Sequence, residues 1–160
     1  MNYRIQKKHK DIQILVMDVD GTLTDGSINL GEDGELYKRF NVKDGYGIAQ
    51  ILPEKEILPV IITGRSSNIL KIRCKELNID YLYQEVDNKL KVLNEILESM
   101  GLTYKNVAYI GDDLNDLECM EKAALTACPN DAIEYLKNIV DYIAGSGGGQ
   151  GAVREFIDWL

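Results

Sequence analysis

Four short segments hold the residues of this 160-residue chain that could do chemistry. The first is Asp18-Val19-Asp20-Gly21-Thr22-Leu23-Thr24-Asp25-Gly26, directly behind a short apolar run. Two acids one residue apart can be aimed at one site while sitting in different environments. One stays ionised and can act as a nucleophile; the other, sensing that charge, keeps a proton and can act as a general acid. Gly21 lets the backbone turn away tightly behind them. An acidic surface turn, or a lone metal-binding Asp-x-Asp, would show the same tripeptide, so the preceding apolar run and the attached Gly-Thr carry the argument.

The second segment, Ile61-Ile62-Thr63-Gly64-Arg65, ends an apolar run with a hydroxyl donor and a glycine whose amide can approach an anion. Thr63 would also serve as a plain helix cap. The third is Lys89, at the start of a helical stretch, where an ammonium can screen a carboxylate from an incoming anion or be solvated. The fourth is Ile110-Gly111-Asp112-Asp113-Leu114-Asn115-Asp116, with more acids than the capping of a helix N-terminus needs. Mg²⁺ takes oxygen ligands and is commonly held by one or two carboxylates plus a substrate phosphate. Asp18 and Asp112 suit that role.

Short apolar runs must position these residues. The pattern predicts strands over 12–17, 60–62, 81–83, 107–110 and 125–127, with an edge strand within 139–143. Pro53 and Pro59 read as punctuation of the loop before the second strand. Helical spacing predicts a helix from Ser66 or Ser67 to Leu77 with Ile69, Leu70, Ile72 and Leu77 on its apolar face. Others are expected over 88–100, stopped by Gly101, over 113–122 and over 152–160. Residues 26–40 break the pattern and read as a β-hairpin with a glycine turn. Strands alternating with helices predict an α/β, Rossmann-like doubly wound parallel sheet, helices on both faces, in one domain over 1–160. Such sheets bind ligands at the carboxyl ends of their strands, where the four segments fall.

The net charge is -8, which argues against a nucleic-acid or anionic-membrane partner. It also means that an anionic substrate needs a bound cation and local lysines or arginines to reverse the potential. Cys74, Cys119 and Cys128 are too far apart for a zinc-type pair and read as reduced, buried thiols, so the expected location is the cytoplasm. The one histidine, His9, lies in a polar stretch and reads as solvated. A Ser-His or Cys-His nucleophile is therefore excluded in practice.

The four segments, in this order, resemble the motifs of the haloacid dehalogenase superfamily of phosphotransferases. The resemblance implies Asp18 as nucleophile and Asp20 as general acid/base, with Thr63, Gly64 and Lys89 on the phosphate. It implies Mg²⁺ on Asp18, Asp20 and Asp112, with Asp113 and Asp116 behind the metal through water or hydrogen bonds. Residues 40–48, Tyr83-Gln84 with Asn88-Lys89-Leu90, and residues 148–155 are similar, more narrowly, to 3-deoxy-D-manno-octulosonate 8-phosphate phosphatases. That group is capless and usually tetrameric. The spacing agrees, since neither interval between motifs could fold as a lid. The resemblance implies this sugar acid phosphate as substrate, a hairpin closing a neighbour's site, and Lys43, Arg65 and Arg154 as substrate contacts. Gln150 stands where arginine is frequent and Glu85-Val86-Asp87 replaces a glycine-richer stretch, which keeps nine-carbon keto-deoxy sugar acid 9-phosphates open as the alternative. A phosphoryl-accepting receiver module and a non-catalytic assembly domain are the readings from other classes.

Overall fold

Ile14–Met17 (β1) is buried at every position and forms the middle of a sheet. The computed structural model describes residues 10–160, so His9 lies outside the described residues. The other strands of this sheet are Leu58–Ile62 (β4), Tyr81–Tyr83 (β5), Val107–Ile110 (β6), Leu125–Cys128 (β7) and Tyr142–Ile143 (β8). All pairings are parallel, in the order β5-β4-β1-β6-β7-β8. The chain winds outward from β1 in one direction and then returns to wind outward in the other. Its switch point falls between β1 and β6, the crevice where doubly wound sheets bind ligands.

Alternation along the strands feeds two cores. Leu15, Met17, Ile61, Ala108 and Ile110 face one side with Ile48, Leu52, Leu70, Val153 and Phe156. Their cover is Val42–Tyr46 (α1), its π-helical continuation Gly47–Ile51 and last turn Leu52–Glu54 (α2), Asn68–Glu76 (α3) and Ala152–Trp159 (α7). Ile14, Val16, Val60, Ile62, Val107 and Tyr109 face the other, under Lys89–Met100 (α4), Leu117–Met120 (α5) and Glu134–Lys137 (α6). The doubly wound α/β expectation is met.

Caps fix the helix boundaries. Ser67 accepts from the Leu70 N–H at the start of α3, and Asn88 does the same for Lys91 in α4. Gly101, in the left-handed region, ends α4 as expected. Three local expectations are corrected. Pro59 lies inside β4: the Leu58 N–H points to β1, so the next residue's side points to β5, which begins to pair only at Val60. A proline there removes no ladder bond. Ile72 is exposed; Cys74, one turn beyond Leu70, takes its place in the core. The helix expected over 113–122 is a 3-10 turn, Leu114–Asp116, followed by the short α5, because Asp113 is extended and caps that turn.

The hairpin exists in shorter form. Leu30–Gly31 (β2) pairs antiparallel with Gly34–Glu35 (β3), and the Leu36 N–H adds a bond to the Asn29 carbonyl. Between Asp18 and Thr63 the chain builds only this hairpin and the α1–α2 segment; between Thr63 and Lys89, only α3 and β5. Among the described residues no cap domain covers the strand ends.

Candidate active site

β1 and β6 deliver Asp18 and Asp112 to the two sides of the switch point, and Asp116 follows one turn later. The three carboxylates each bring an oxygen within 4.8 Å of the others. Lys89, at the start of α4, lies between two of them: its Nζ donates to Asp18 Oδ1 at 2.7 Å and to Asp116 Oδ1 at 2.7 Å. Asp116 is fully buried and its oxygens are spoken for. The Tyr109 hydroxyl also donates to Oδ1 at 2.7 Å, and the Asp112 N–H donates to Oδ2 at 3.2 Å. Asp112 accepts from the Thr22 hydroxyl through Oδ1 at 3.0 Å. Gly21 has φ +94°, and a Cβ there would stand 2.1 Å from Asp112 Oδ2, so only glycine lets the Asp18 loop close on this acid.

The group is short of positive charge. Three carboxylates against one ammonium leave two negative charges when all are ionised. Burial pushes the Asp18 carboxyl up to about 7, helped by Asp116 and opposed by Lys89. Burial and Asp116 likewise push Asp112 up to about 6. Burial works against the charge on Lys89, but Asp116 and Asp18 hold it above the ordinary ammonium value. A divalent cation fits this donor set. Asp18, Asp112 and Asp116 can each offer an oxygen to one ion, and hard carboxylate oxygens are what Mg²⁺ prefers.

Asp20 is held differently. Lys38, buried in the segment just after the hairpin, donates to Asp20 Oδ1, and Arg65 Nε stands 3.6 Å from Oδ2. Its carboxylate is therefore not among the converging three. Lys38 is also 3.2 Å from Glu35 on β3, and Glu35 accepts from the Ser67 hydroxyl at the head of α3. The hairpin region is thus tied to Asp20 and to the head of α3 of its own chain. Reading the sequence missed Lys38 and Glu35, since no spacing ties them to Asp20. Thr22 lay inside the first motif, and a buried tyrosine such as Tyr109, whose hydroxyl needs a partner, was a usable signal.

The remaining expected residues divide. Thr63 is buried at the end of β4, its N–H bonded to Tyr83 and its carbonyl to the Val86 N–H, with Gly64 exposed beside it. Asp113 is exposed and accepts from the Leu114 N–H at 2.7 Å, so it caps a turn, while its charge helps to raise the Asp112 carboxyl. Lys43 is exposed on α1. Arg154 points elsewhere: Nε pairs with Asp158 at 2.9 Å and its guanidinium lies 5.4 Å from the Tyr46 ring. The structure does not bring Lys43 or Arg154 to the acidic cluster. Gln150 borders a cavity of about 470 Å³ with Asp25, Arg39 and Asn41, beside the far end of the Asp18 loop.

A buried aspartate at the end of β1, with a lysine and further acids from the strand ends around it, is the arrangement the four sequence segments led one to expect. The chain belongs to the haloacid dehalogenase-like hydrolases, whose family profile matches residues 73–157. Within them it is 44% identical over 156 residues to the 3-deoxy-D-manno-octulosonate 8-phosphate phosphatase KdsC of Escherichia coli strain B, covering 98% of this chain and 82% of that one. The Yersinia pestis phosphatase of the same description superposes with a TM-score of 0.93 at 39% identity, over 99% of this chain and 85% of that one. The Moraxella catarrhalis enzyme, solved with a magnesium ion, a phosphate ion and KDO, gives 0.92 at 39% identity, over 99% and 91%.

Proposed function

We propose that this chain hydrolyses 3-deoxy-D-manno-octulosonate 8-phosphate to the free sugar acid and phosphate. One observation carries the chemistry: Asp18 lies at the switch point with Lys89 on one oxygen and with Asp112 near enough to share a metal ion. The substrate follows from likeness to the KdsC enzymes over nearly the whole chain.

In this reading an Asp18 oxygen attacks phosphorus in line, and the bond from phosphorus to the sugar oxygen breaks. Asp20 gives its proton to the leaving alcohol, then takes one from the water that attacks the aspartyl-phosphate. That second attack frees phosphate and restores the Asp18 carboxylate. Lys89 balances charge on the transferring group, and Thr63 and the Gly64 amide bind its oxygens. Arg65 and Lys38, flanking Asp20, meet the leaving sugar. Asp18 and Asp112 would hold Mg²⁺, which when bound neutralises negative charge on the phosphoryl oxygens. Asp116 acts by fixing Lys89 and the Asp112 amide.

The hairpin supports a homo-oligomer, with a tetramer as the specific proposal. It exposes Ile28, Leu30, Leu36 and Tyr37 together, an apolar patch of the kind that marks an interface. Three buried free cysteines accord with a reducing, cytoplasmic setting. Among the described residues no helix is long and apolar enough to cross a membrane. The nine-carbon alternative rests on Gln150, a neutral amide beside Arg39 in the 470 Å³ cavity.

The test is phosphate release, under multiple turnover, from the eight-carbon acid 8-phosphate, nine-carbon acid 9-phosphates and hexose phosphates. Repeated turnover with preference for the eight-carbon acid is expected, abolished by Asp18→Asn and by chelation. Preference for hexose phosphates overturns the substrate. Full activity of Asp18→Asn overturns the mechanism, and a single turnover points to a receiver.

A further inference from the structure

Asp44 is a buried acid, 1% exposed, that the proposed reaction does not use. It sits on α1, away from the acidic cluster. Its Oδ1 accepts from the Arg154 N–H at 2.8 Å, and the Gly151 backbone amide also favours its charged form. Those amides belong to the start of α7, whose own capping position is Gly151 and has no side chain to offer. Asp44 therefore caps α7 from another element, placing a carboxylate at the positive end of the helix.

The segment entering α7 is the glycine-rich strap, residues 147–151, and it lies against the Asp18 loop. A Cβ on Gly148 would stand 2.0 Å from the Gly21 carbonyl oxygen and 2.7 Å from that of Thr24. The Gly149 N–H donates to the Thr22 carbonyl at 3.0 Å. Asn41, the residue capping α1, donates through Nδ2 to the Gly149 carbonyl at 3.3 Å. The head of α1 thus grips the strap at Gly149 and the helix that follows it at Arg154, and the strap grips Thr22, whose hydroxyl holds Asp112.

The second carboxylate oxygen tightens the arrangement. Asp44 Oδ2 and Arg73 Nε are both buried without a protein partner, and both residues border one cavity of about 10 Å³, room for one water. Leu23 of the Asp18 loop lines the same cavity. The charged groups facing Asp44 are Arg73 from α3 and Arg154 and Glu155 from α7.

We propose that Asp44 is a positioning residue for the phosphatase reaction, clamping the strap onto the Asp18 loop and thereby fixing Thr22 and Asp112. This rests on the function proposed above, but the clamp has a readout of its own. Amide hydrogen exchange is measured on the wild-type protein, Asp44→Ala, Asp44→Asn and Gly148→Ala, beside kcat and KM. In Asp44→Ala the Gly149 and Arg154 amides should lose protection, and kcat should fall about tenfold to a hundredfold with KM little changed, as for a misplaced catalytic loop. Asp44→Asn keeps an acceptor oxygen without the charge and should restore both. Gly148→Ala crowds the strap off the loop without touching Asp44. It should lower kcat and unprotect Gly149 while Arg154 stays protected.

Unchanged Gly149 exchange or unchanged kcat in Asp44→Ala overturns the proposal, as does an Asp44→Asn variant no better than Asp44→Ala. Should Asp44→Ala not fold, Asp44→Asn and Gly148→Ala decide it: wild-type turnover in Gly148→Ala overturns the proposal. If the wild-type protein itself fails to turn over, the function is wrong, and the exchange data still test the clamp.

Discussion

Lys89 stands 2.7 Å from Asp18 and 2.7 Å from Asp116, with almost none of its side chain exposed. Removing its charge leaves two buried carboxylates facing each other, a loss that in other buried pairs runs to about 3–5 kcal/mol. Lys89→Met should therefore abolish turnover and lower the urea midpoint of the metal-free protein, with Mg²⁺ restoring part of the stability. An unchanged midpoint without metal would show that the pair is not strongly coupled. Lys38 makes a different prediction, because its partner is Asp20. Lys38→Met should lower kcat while leaving the fold and the Mg²⁺ requirement intact, as steady-state kinetics over a Mg²⁺ titration would reveal. These two lysines mark the limit of what sequence shows at this scale. Lys89 was legible because it opens a helix at a fixed place between two motifs. Lys38 lies in Leu36-Tyr37-Lys38-Arg39, where nothing in the local pattern tells a buried ion pair from a solvated charge.

Among the elements, the strands were legible because buried parallel strands write themselves as apolar runs, and β1, β5 and β6 appear close to where that rule places them. The errors arise where tertiary context decides. Pro59 stays in β4 because its neighbour strand starts one residue later, and Ile72 is exposed because α3 turns Cys74 inward. The hairpin was legible as a hairpin, but not what anchors it, which depends on Glu35 finding Ser67 and Lys38. That contact yields a prediction. Glu35→Ala removes the tie between β3 and the head of α3 together with one partner of Lys38. The hairpin should then open more often, raising KM more than it lowers kcat and increasing proteolysis within residues 27–38. If KM and proteolysis stay at wild-type values, the hairpin is held by other contacts, and Glu35 is incidental to substrate entry.

At the scale of the whole molecule, the chain carries a net charge of -8 and gathers its most expensive negative charge at one sheet edge. Asp18, Asp112 and Asp44 all have carboxyls raised from 3.8, to about 7, about 6 and about 6 respectively, with burial as the leading cause in each. In the unfolded chain these groups ionise at ordinary values, so between about pH 4 and pH 7 the folded state binds more protons. Their contribution to stability is thus complete below the unfolded value and is lost as pH rises through the folded one. The metal-free protein should become less stable from about pH 4 to pH 7, against the usual acid-denaturation trend. A cation that binds only the folded state opposes this loss, and competes better as protons leave Asp18 and Asp112. Thermal unfolding in chelator and in saturating MgCl₂ should therefore give midpoints that diverge with rising pH. Asp44→Asn should flatten part of the chelator slope and leave the divergence, since Asp44 is remote from the metal set. Parallel curves in chelator and Mg²⁺ would mean that the raised carboxyls at the switch point do not serve the cation, and the charge argument for the site would fail with them.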